Sequence, residues 1–285
     1  MASVRTSRPR GLRRWGTAAG AAAVLLLASG CSAQEALSFN HPDPATEQAP
    51  IIASLWYGAW VAVVGVGLLT GGLILYAAIR YRRKSDDAPA PKQLRYNVPL
   101  EVMYTIVPLV MILGMFYFTA RDQTQLTKVS ANPDNIVSVV GFRWSWAFNY
   151  TEEGVYDVGT ADVADMPTLY LPVDESVVFQ LQSPDVVHSF WIPAFLMKMD
   201  VFPDRLNKFQ VTPNKIGEYA GRCAELCGVD HARMLFRVKV VDRATYDQHI
   251  AELKAKGQTG QITTDRITRE GERYWETERY PEGTL

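Results

Sequence analysis

Along the chain, apolar positions gather into three uncharged N-terminal runs and then break up into short β-branched and aromatic segments. The first run, residues 18–27, follows Arg5, Arg8, Arg10, Arg13 and Arg14 and ends in Leu27-Ala28-Ser29-Gly30-Cys31. About ten apolar residues cannot cross about 30 Å of hydrocarbon, so a basic start, a short apolar stretch and small residues at the break predict a secretory signal. Residues 51–79 carry no charge and residues 102–120 none after Glu101, so each run is long enough to span a membrane. From residue 136 onward, segments at 136–140, 144–150, 168–171, 176–181, 209–211 and 235–241 read as strands. Pro167, Pro172, Pro184, Pro193, Pro203 and Pro213 fall between or beside them, where a missing backbone donor harms no ladder. The expected domain is an all-β sandwich or barrel. A polar helix is expected at 244–255, and the tail after it, rich in Thr, Glu, Arg and Gly, is expected on the surface or on a neighbouring subunit.

The charge pattern orients this layout. Arg80-Tyr81-Arg82-Arg83-Lys84, Lys92 and Arg95 lie between the two spans, whereas Glu35, Asp43 and Glu47 precede the first with no Lys or Arg among them. The positive-inside rule then places the turn at 80–97 in the cytoplasm and everything after about residue 121 outside, in agreement with an exporting signal. Cys31 directly after Ala-Ser-Gly resembles a bacterial lipobox, in which the cysteine becomes the lipid-modified first residue of the mature chain. The net charge of −1 points to no particular partner, and no long basic stripe suits nucleic acid.

Chemistry concentrates in Cys223-Ala224-Glu225-Leu226-Cys227-Gly228-Val229-Asp230-His231-Ala232-Arg233-Met234. Two thiols, an imidazole and a thioether within one loop are soft donors that select copper over hard cations. His188, in Asp185-Val186-Val187-His188, supplies a second imidazole. A single blue copper would need one cysteine, two histidines and a weak methionine, which leaves one thiolate over. Two cysteines can instead bridge two copper ions, each taking one histidine, with Met234 and a backbone carbonyl as weaker ligands. Other readings compete. An exported cysteine pair is commonly a disulfide, and a copper-delivery protein with Cys-x-x-x-Cys would sit on a similar anchor but with thioredoxin-like alternation of strands and helices. Zinc is disfavoured because methionine is a poor ligand for it.

With these motifs in place, the sequence resembles subunit II of cytochrome c oxidase from the first span to about Val241. Further matching segments are Gly141-Phe142-Arg143-Trp144-Ser145-Trp146, Lys198-Met199-Asp200-Val201-Phe202-Pro203-Asp204-Arg205-Leu206-Asn207, and Leu100-Glu101 with Ile106-Val107-Pro108. The resemblance implies a two-helix membrane hairpin plus an all-β cupredoxin-like Greek-key sandwich holding a binuclear copper (CuA) centre. Its ligands would be His188, Cys223, Glu225 through its carbonyl, Cys227, His231 and Met234. It further implies that Trp144 takes electrons from cytochrome c, soluble or membrane-bound. The side chain of Glu225, with Asp200 nearby, would bind Mg or Mn at the contact with subunit I, and Glu101 would stand at the mouth of a proton path. The partners would be subunit I, where oxygen is reduced with proton pumping, and the other oxidase subunits. A quinol-oxidase subunit would share the scaffold but lack the copper ligands.

Some positions depart from the family. Phe142, Arg143 and Ser145 stand where relatives often have His, Gln and Tyr, and Asp204 falls where many have Pro-Gly-Arg. The acids that dock soluble cytochrome c are only partly present, as Glu152, Glu153 and Asp157 after Asn149. The expected layout is a signal with lipobox at 1–30, an external segment at 31–50, the hairpin at 51–120 with cytoplasmic loop 80–97, the external copper domain at 121–243, and a helix and tail at 244–285. The expected location is a bacterial plasma membrane with the copper domain on the outer face.

Overall fold

The computed structural model describes residue 38 and residues 41–83 and 93–264. The leader at 1–30, Cys31, most of the turn between the apolar helices and the tail beyond residue 264 lie outside the described residues.

The first helices among the described residues are α1 at Ala49–Arg80 and α2 at Val98–Leu126. At 1.5 Å per residue the 32 residues of α1 are about 48 Å long, more than the hydrocarbon thickness. Pro50 suits the first turn, where its missing N–H is not needed, and the Thr46 hydroxyl accepts the Ala49 N–H at 3.1 Å. At the start of α2 the Asn97 side chain accepts the Leu100 N–H, and Glu101 reaches back to the Asn97 N–H at 2.9 Å. This reciprocal pair satisfies two of the orphan donors at a helix start. Leu68, Leu75, Ile79, Val110, Ile112 and Phe116 are exposed on the isolated chain. Among the described residues these two helices are long and apolar enough to cross a membrane.

Among the described residues ten strands form two facing sheets: β1 Asn135–Phe142, β2 Ser145–Tyr150, β3 Val155–Val158, β4 Thr168–Pro172, β5 Val177–Gln182, β6 His188–Ile192, β7 Met197–Val201, β8 Asn207–Val211, β9 Gly217–Cys223 and β10 Leu235–Val241. One sheet runs β3-β2-β1-β5-β8 and the other β4-β10-β9-β6-β7. Pairing is antiparallel except for β1 with β5 and β4 with β10, which are parallel. Between the sheets lies an aromatic core of Trp146, Phe148, Phe179, Phe190, Phe209 and Phe236. Phe190 and Phe236 stack at 4.9 Å, and Trp146 meets both edge-on. Removing one such ring costs about 3–5 kcal/mol, so this layer fixes the spacing of the sheets that carry the site.

The sequence reading found six strands, and β3, β6, β7 and β9 are additional. Three of them have a visible reason for a weak signal. β3 is a four-residue edge; β7 is an edge whose polar Lys198 and Asp200 alternate with apolar residues; β9 contains Gly217 and Gly221 and exposes Glu218 and Arg222. Gly221 is required, since a Cβ there would run into the Phe236 ring on the paired strand. Trp144 is not in a strand but in the turn joining β1 to β2.

Helix α3, Arg243–Ala255, is capped by Asp242, whose side chain accepts the Thr245 N–H at 2.9 Å. It buries Tyr246, His249, Ile250 and Leu253. The chain then runs along β3, with Gly260 N–H donating to the Gly154 carbonyl, and Ile262 is clasped at N–H and carbonyl by the buried Asn149 side chain.

Candidate metal centre

Three strand ends place the donor groups. His188 opens β6, Cys223 closes β9, and the loop returns through a 3₁₀ turn at His231–Arg233 to Met234 and β10. The loop is tied down at its base, where the Cys223 N–H donates to the Met234 carbonyl and the Ala224 N–H to the Ser189 carbonyl, both at 3.0 Å. The Cys223 and Cys227 sulfurs lie 3.9 Å apart, unbonded. His188 Nδ1 is 3.9 Å from Cys223 Sγ, and His231 Nδ1 is 3.5 Å from Cys227 Sγ. Met234 Sδ sits 3.7 Å from Cys227 Sγ, and the Glu225 carbonyl oxygen 3.2 Å from Cys223 Sγ. The ligand atoms of His188, Cys223 and Cys227 all fall within 4.8 Å of one another, on buried residues. All six donors named from the sequence therefore meet in one place. Two sulfurs at the centre with one imidazole nitrogen against each is a soft, partly anionic donor set, and it fits copper.

The electrostatics support anionic sulfur. The two cysteines share a proton, which lowers the pKa of Cys223 and raises that of Cys227. The thiolate is the form that binds metal. His188 uses its other nitrogen, Nε2, on Asp185 Oδ1 at 2.9 Å, which leaves Nδ1 facing the sulfurs. Burial alone would push the Asp185 carboxyl up, but hydrogen bonds from His188 and the Arg143 and Val186 N–H groups hold it down at about 2. Burial likewise works against a charged His188, and Asp185 and Cys223 together more than offset it, so its pKa is raised. A carboxylate on the far nitrogen of a ligating histidine fixes tautomer and ring orientation.

Asp185 was not recognised in the sequence. Its position three residues before His188 was a weak signal; its bond to the Arg143 N–H at 2.8 Å, from the neighbour of Trp144, was not visible at all. Gly228 was also missed. Its φ of +128° suits glycine alone, and its backbone lies against the Trp144 indole. Trp144 itself is half-buried beside the loop, and the fully buried Trp146 points its Nε1 toward the Met234 carbonyl at 3.5 Å.

Other candidates stand apart from this cluster. Glu101 is on α2, where it caps the helix. The Glu225 side chain is exposed, and Asp200 on β7 pairs across strands with Ser189, whose buried hydroxyl has no hydrogen-bond partner among the described residues. Of the acidic and amide positions after β1, Glu152 is exposed and the others are engaged internally. Asn149 holds Ile262, Glu153 accepts the Tyr246 hydroxyl at 2.9 Å, and Asp157 is half-buried with its pKa raised by that burial.

A two-sheet sandwich with mixed pairing, closed over a two-cysteine, two-histidine, one-methionine cluster and carried on two apolar helices, defines a membrane-anchored copper protein of the cupredoxin type. The family model described as cytochrome C oxidase subunit II, periplasmic domain, matches residues 135–241. The chain is 46% identical over 275 residues to the probable cytochrome c oxidase subunit 2 of Streptomyces avermitilis, covering 84% of this chain and 86% of that one. With cytochrome c oxidase subunit 2 of Mycobacterium tuberculosis it shares 32% over 290 residues, 81% of this chain and 79% of the relative. Among solved structures, the periplasmic domain of subunit II of cytochrome oxidase from Bradyrhizobium japonicum is 29% identical, covering 45% of this chain and 99% of that one with a TM-score of 0.41. The chain belongs to the cytochrome c oxidase subunit II family. It is the electron-accepting copper subunit of a haem-copper oxidase, an oxidoreductase complex.

Proposed function

We propose that electrons from a cytochrome c reach this subunit at Trp144, pass to a binuclear copper centre and leave for subunit I, where oxygen is reduced to water with proton pumping. The observation that carries this reading is the pair of unbridged sulfurs 3.9 Å apart with an imidazole nitrogen on each side. His188, Cys223, the Glu225 carbonyl, Cys227, His231 and Met234 hold the two copper ions. Bound there, the pair supplies one-electron redox chemistry with the charge spread over both metals. The chain's own residues do the rest. Cys223 and Cys227 offer thiolates, Asp185 aims His188, and the aromatic core behind Trp146 excludes water. Because β6, β9 and β10 fix the donors on a rigid scaffold, little needs to move when the electron arrives.

In this reading the Glu225 side chain, with Asp200 beside the orphan hydroxyl of Ser189, binds Mg or Mn at the contact with subunit I. Cross-strand partners share a sheet face, which is what favours Asp200 and Ser189 acting together. Glu101 delivers protons from the cytoplasmic side as well as capping α2. The hairpin at 51–120 crosses the bacterial plasma membrane with loop 80–97 inside. The external copper domain spans 121–243, with the helix and tail at 244–285 beside it, and Cys31, after a signal at 1–30, is lipid-modified.

The test is Cys227→Ser in the assembled oxidase. Oxidation of cytochrome c is expected to be lost while reduction of the haem centres by a small chemical reductant continues. Full cytochrome c turnover in that variant would refute the reading.

A further inference from the structure

Gly228 is exposed and follows the ligand Cys227, yet its surroundings are not those of a free turn. A Cβ built on it would lie 3.0 Å from Trp144 Nε1, 3.1 Å from Cζ2 and 3.3 Å from Cε2. Ordinary carbon contacts are about 3.5–4.0 Å, so any side chain here would drive the indole outward. The same residue has φ +128°, outside the range of other L residues. Backbone conformation and close approach therefore both demand glycine at one position. The other end of this contact is fixed too, because the Arg143 N–H, one residue before Trp144, donates to Asp185, and Asp185 holds His188. The backbone just before Trp144 is thus tied to the carboxylate that holds one histidine, while the indole itself lies against the residue that follows one cysteine.

We infer that Gly228 is a positioning residue for electron uptake: its bare backbone seats the Trp144 indole against the peptide next to Cys227. This rests on the reading that electrons arrive at Trp144. In the step concerned the donor haem loses one electron and the copper pair gains it, with no bond made or broken and no proton moved. Only the separation and packing of indole and loop are at issue, and transfer of this kind depends on close contact. Leu226 and Val229 nearby in the loop are exposed, whereas Gly228 meets the indole.

The experiment uses the whole oxidase and follows reduction of the copper centre by a photo-reduced cytochrome c, together with copper content, copper optical spectrum and the copper-to-haem rate. Gly228→Ala is expected to slow donor-to-copper transfer by about tenfold, in line with the cost of sub-ångström misplacement of a reacting group. Copper content, spectrum and copper-to-haem transfer are expected to stay as in the parent. In a Trp144→Phe background the same substitution is expected to add nothing. A second probe leaves the loop untouched: 7-methyltryptophan at position 144 places a methyl on Cζ2, against Gly228, and is expected to slow transfer to a similar degree.

A parental rate in Gly228→Ala, or equal slowing with and without the indole, overturns the inference. If Gly228→Ala alters the copper spectrum, the 7-methyl probe decides, and a parental rate there overturns it as well. Trp144→Phe at the parental rate would refute the reading of Trp144 itself, and the inference with it. A slow Trp144→Phe beside a fast Gly228→Ala would sink the inference alone.

Discussion

His249 should make the external domain lose stability as pH falls below neutrality. It is 9% exposed on α3, its ring stacks on Tyr170 at 3.7 Å and 13°, and its Nε2 has no hydrogen-bond partner among the described residues. Burial pushes its pKa down to about 4, with Glu252 pulling the other way and Lys256 and Lys239 adding to the depression. In the unfolded chain the same group titrates near about 6.5. Between those values the unfolded chain binds a proton that the folded domain refuses, so stability is full above about pH 6.5 and falls as the pH drops. At about 1.36 kcal/mol for each pKa unit the loss grows to about 3 kcal/mol near pH 4 and amounts to about 2 kcal/mol at pH 5. His249→Phe keeps the stack on Tyr170 and removes the titration. Urea unfolding of the solubilised chain, followed by tryptophan fluorescence at pH 7 and pH 5, checks this. The variant is expected to gain about 2 kcal/mol relative to the parent on going from pH 7 to pH 5. An unchanged difference between the two proteins would refute the argument, since every other titrating group cancels in the comparison.

Further outcomes follow from the same contacts. Asp185→Ala strips the carboxylate from His188 Nε2 and the Arg143 N–H, and copper retention against a chelator is expected to fall about 10–100-fold, as for other partners of metal-bound histidines. Gly221→Ala forces a methyl into the Phe236 ring and is expected to cost about 1–3 kcal/mol or more, read as a drop in melting temperature. Turnover with soluble cytochrome c is expected to vary only weakly with salt, because Glu153 and Asp157 are engaged inside the domain; fast turnover that collapses at high ionic strength would contradict this.

What could be read from the sequence follows from how local each signal is. Uncharged runs need no partner to be recognised, so α1 and α2 were plain, though each helix extends beyond its apolar stretch, with Asn97 and Glu101 setting the start of α2. Cys223, Cys227, His231 and Met234 sit in one loop, and His188 was found by counting the donors that two copper ions need. β6, β7 and β9 were missed because their strand character comes from neighbours, as where Gly221 exists to admit Phe236 from β10. Asp185 reaches Arg143 across 42 residues and Gly228 meets Trp144 only after the sandwich closes, so neither could be seen along the chain.

In the proposed function one cluster holds two copper ions as a unit. The most direct measurement is to load the full-length chain with copper in detergent, count the metal and record its electron-spin and optical spectra. Two coppers per chain and one unpaired electron shared equally between them are expected. A single copper with a localised electron, or a colourless protein, would contradict this.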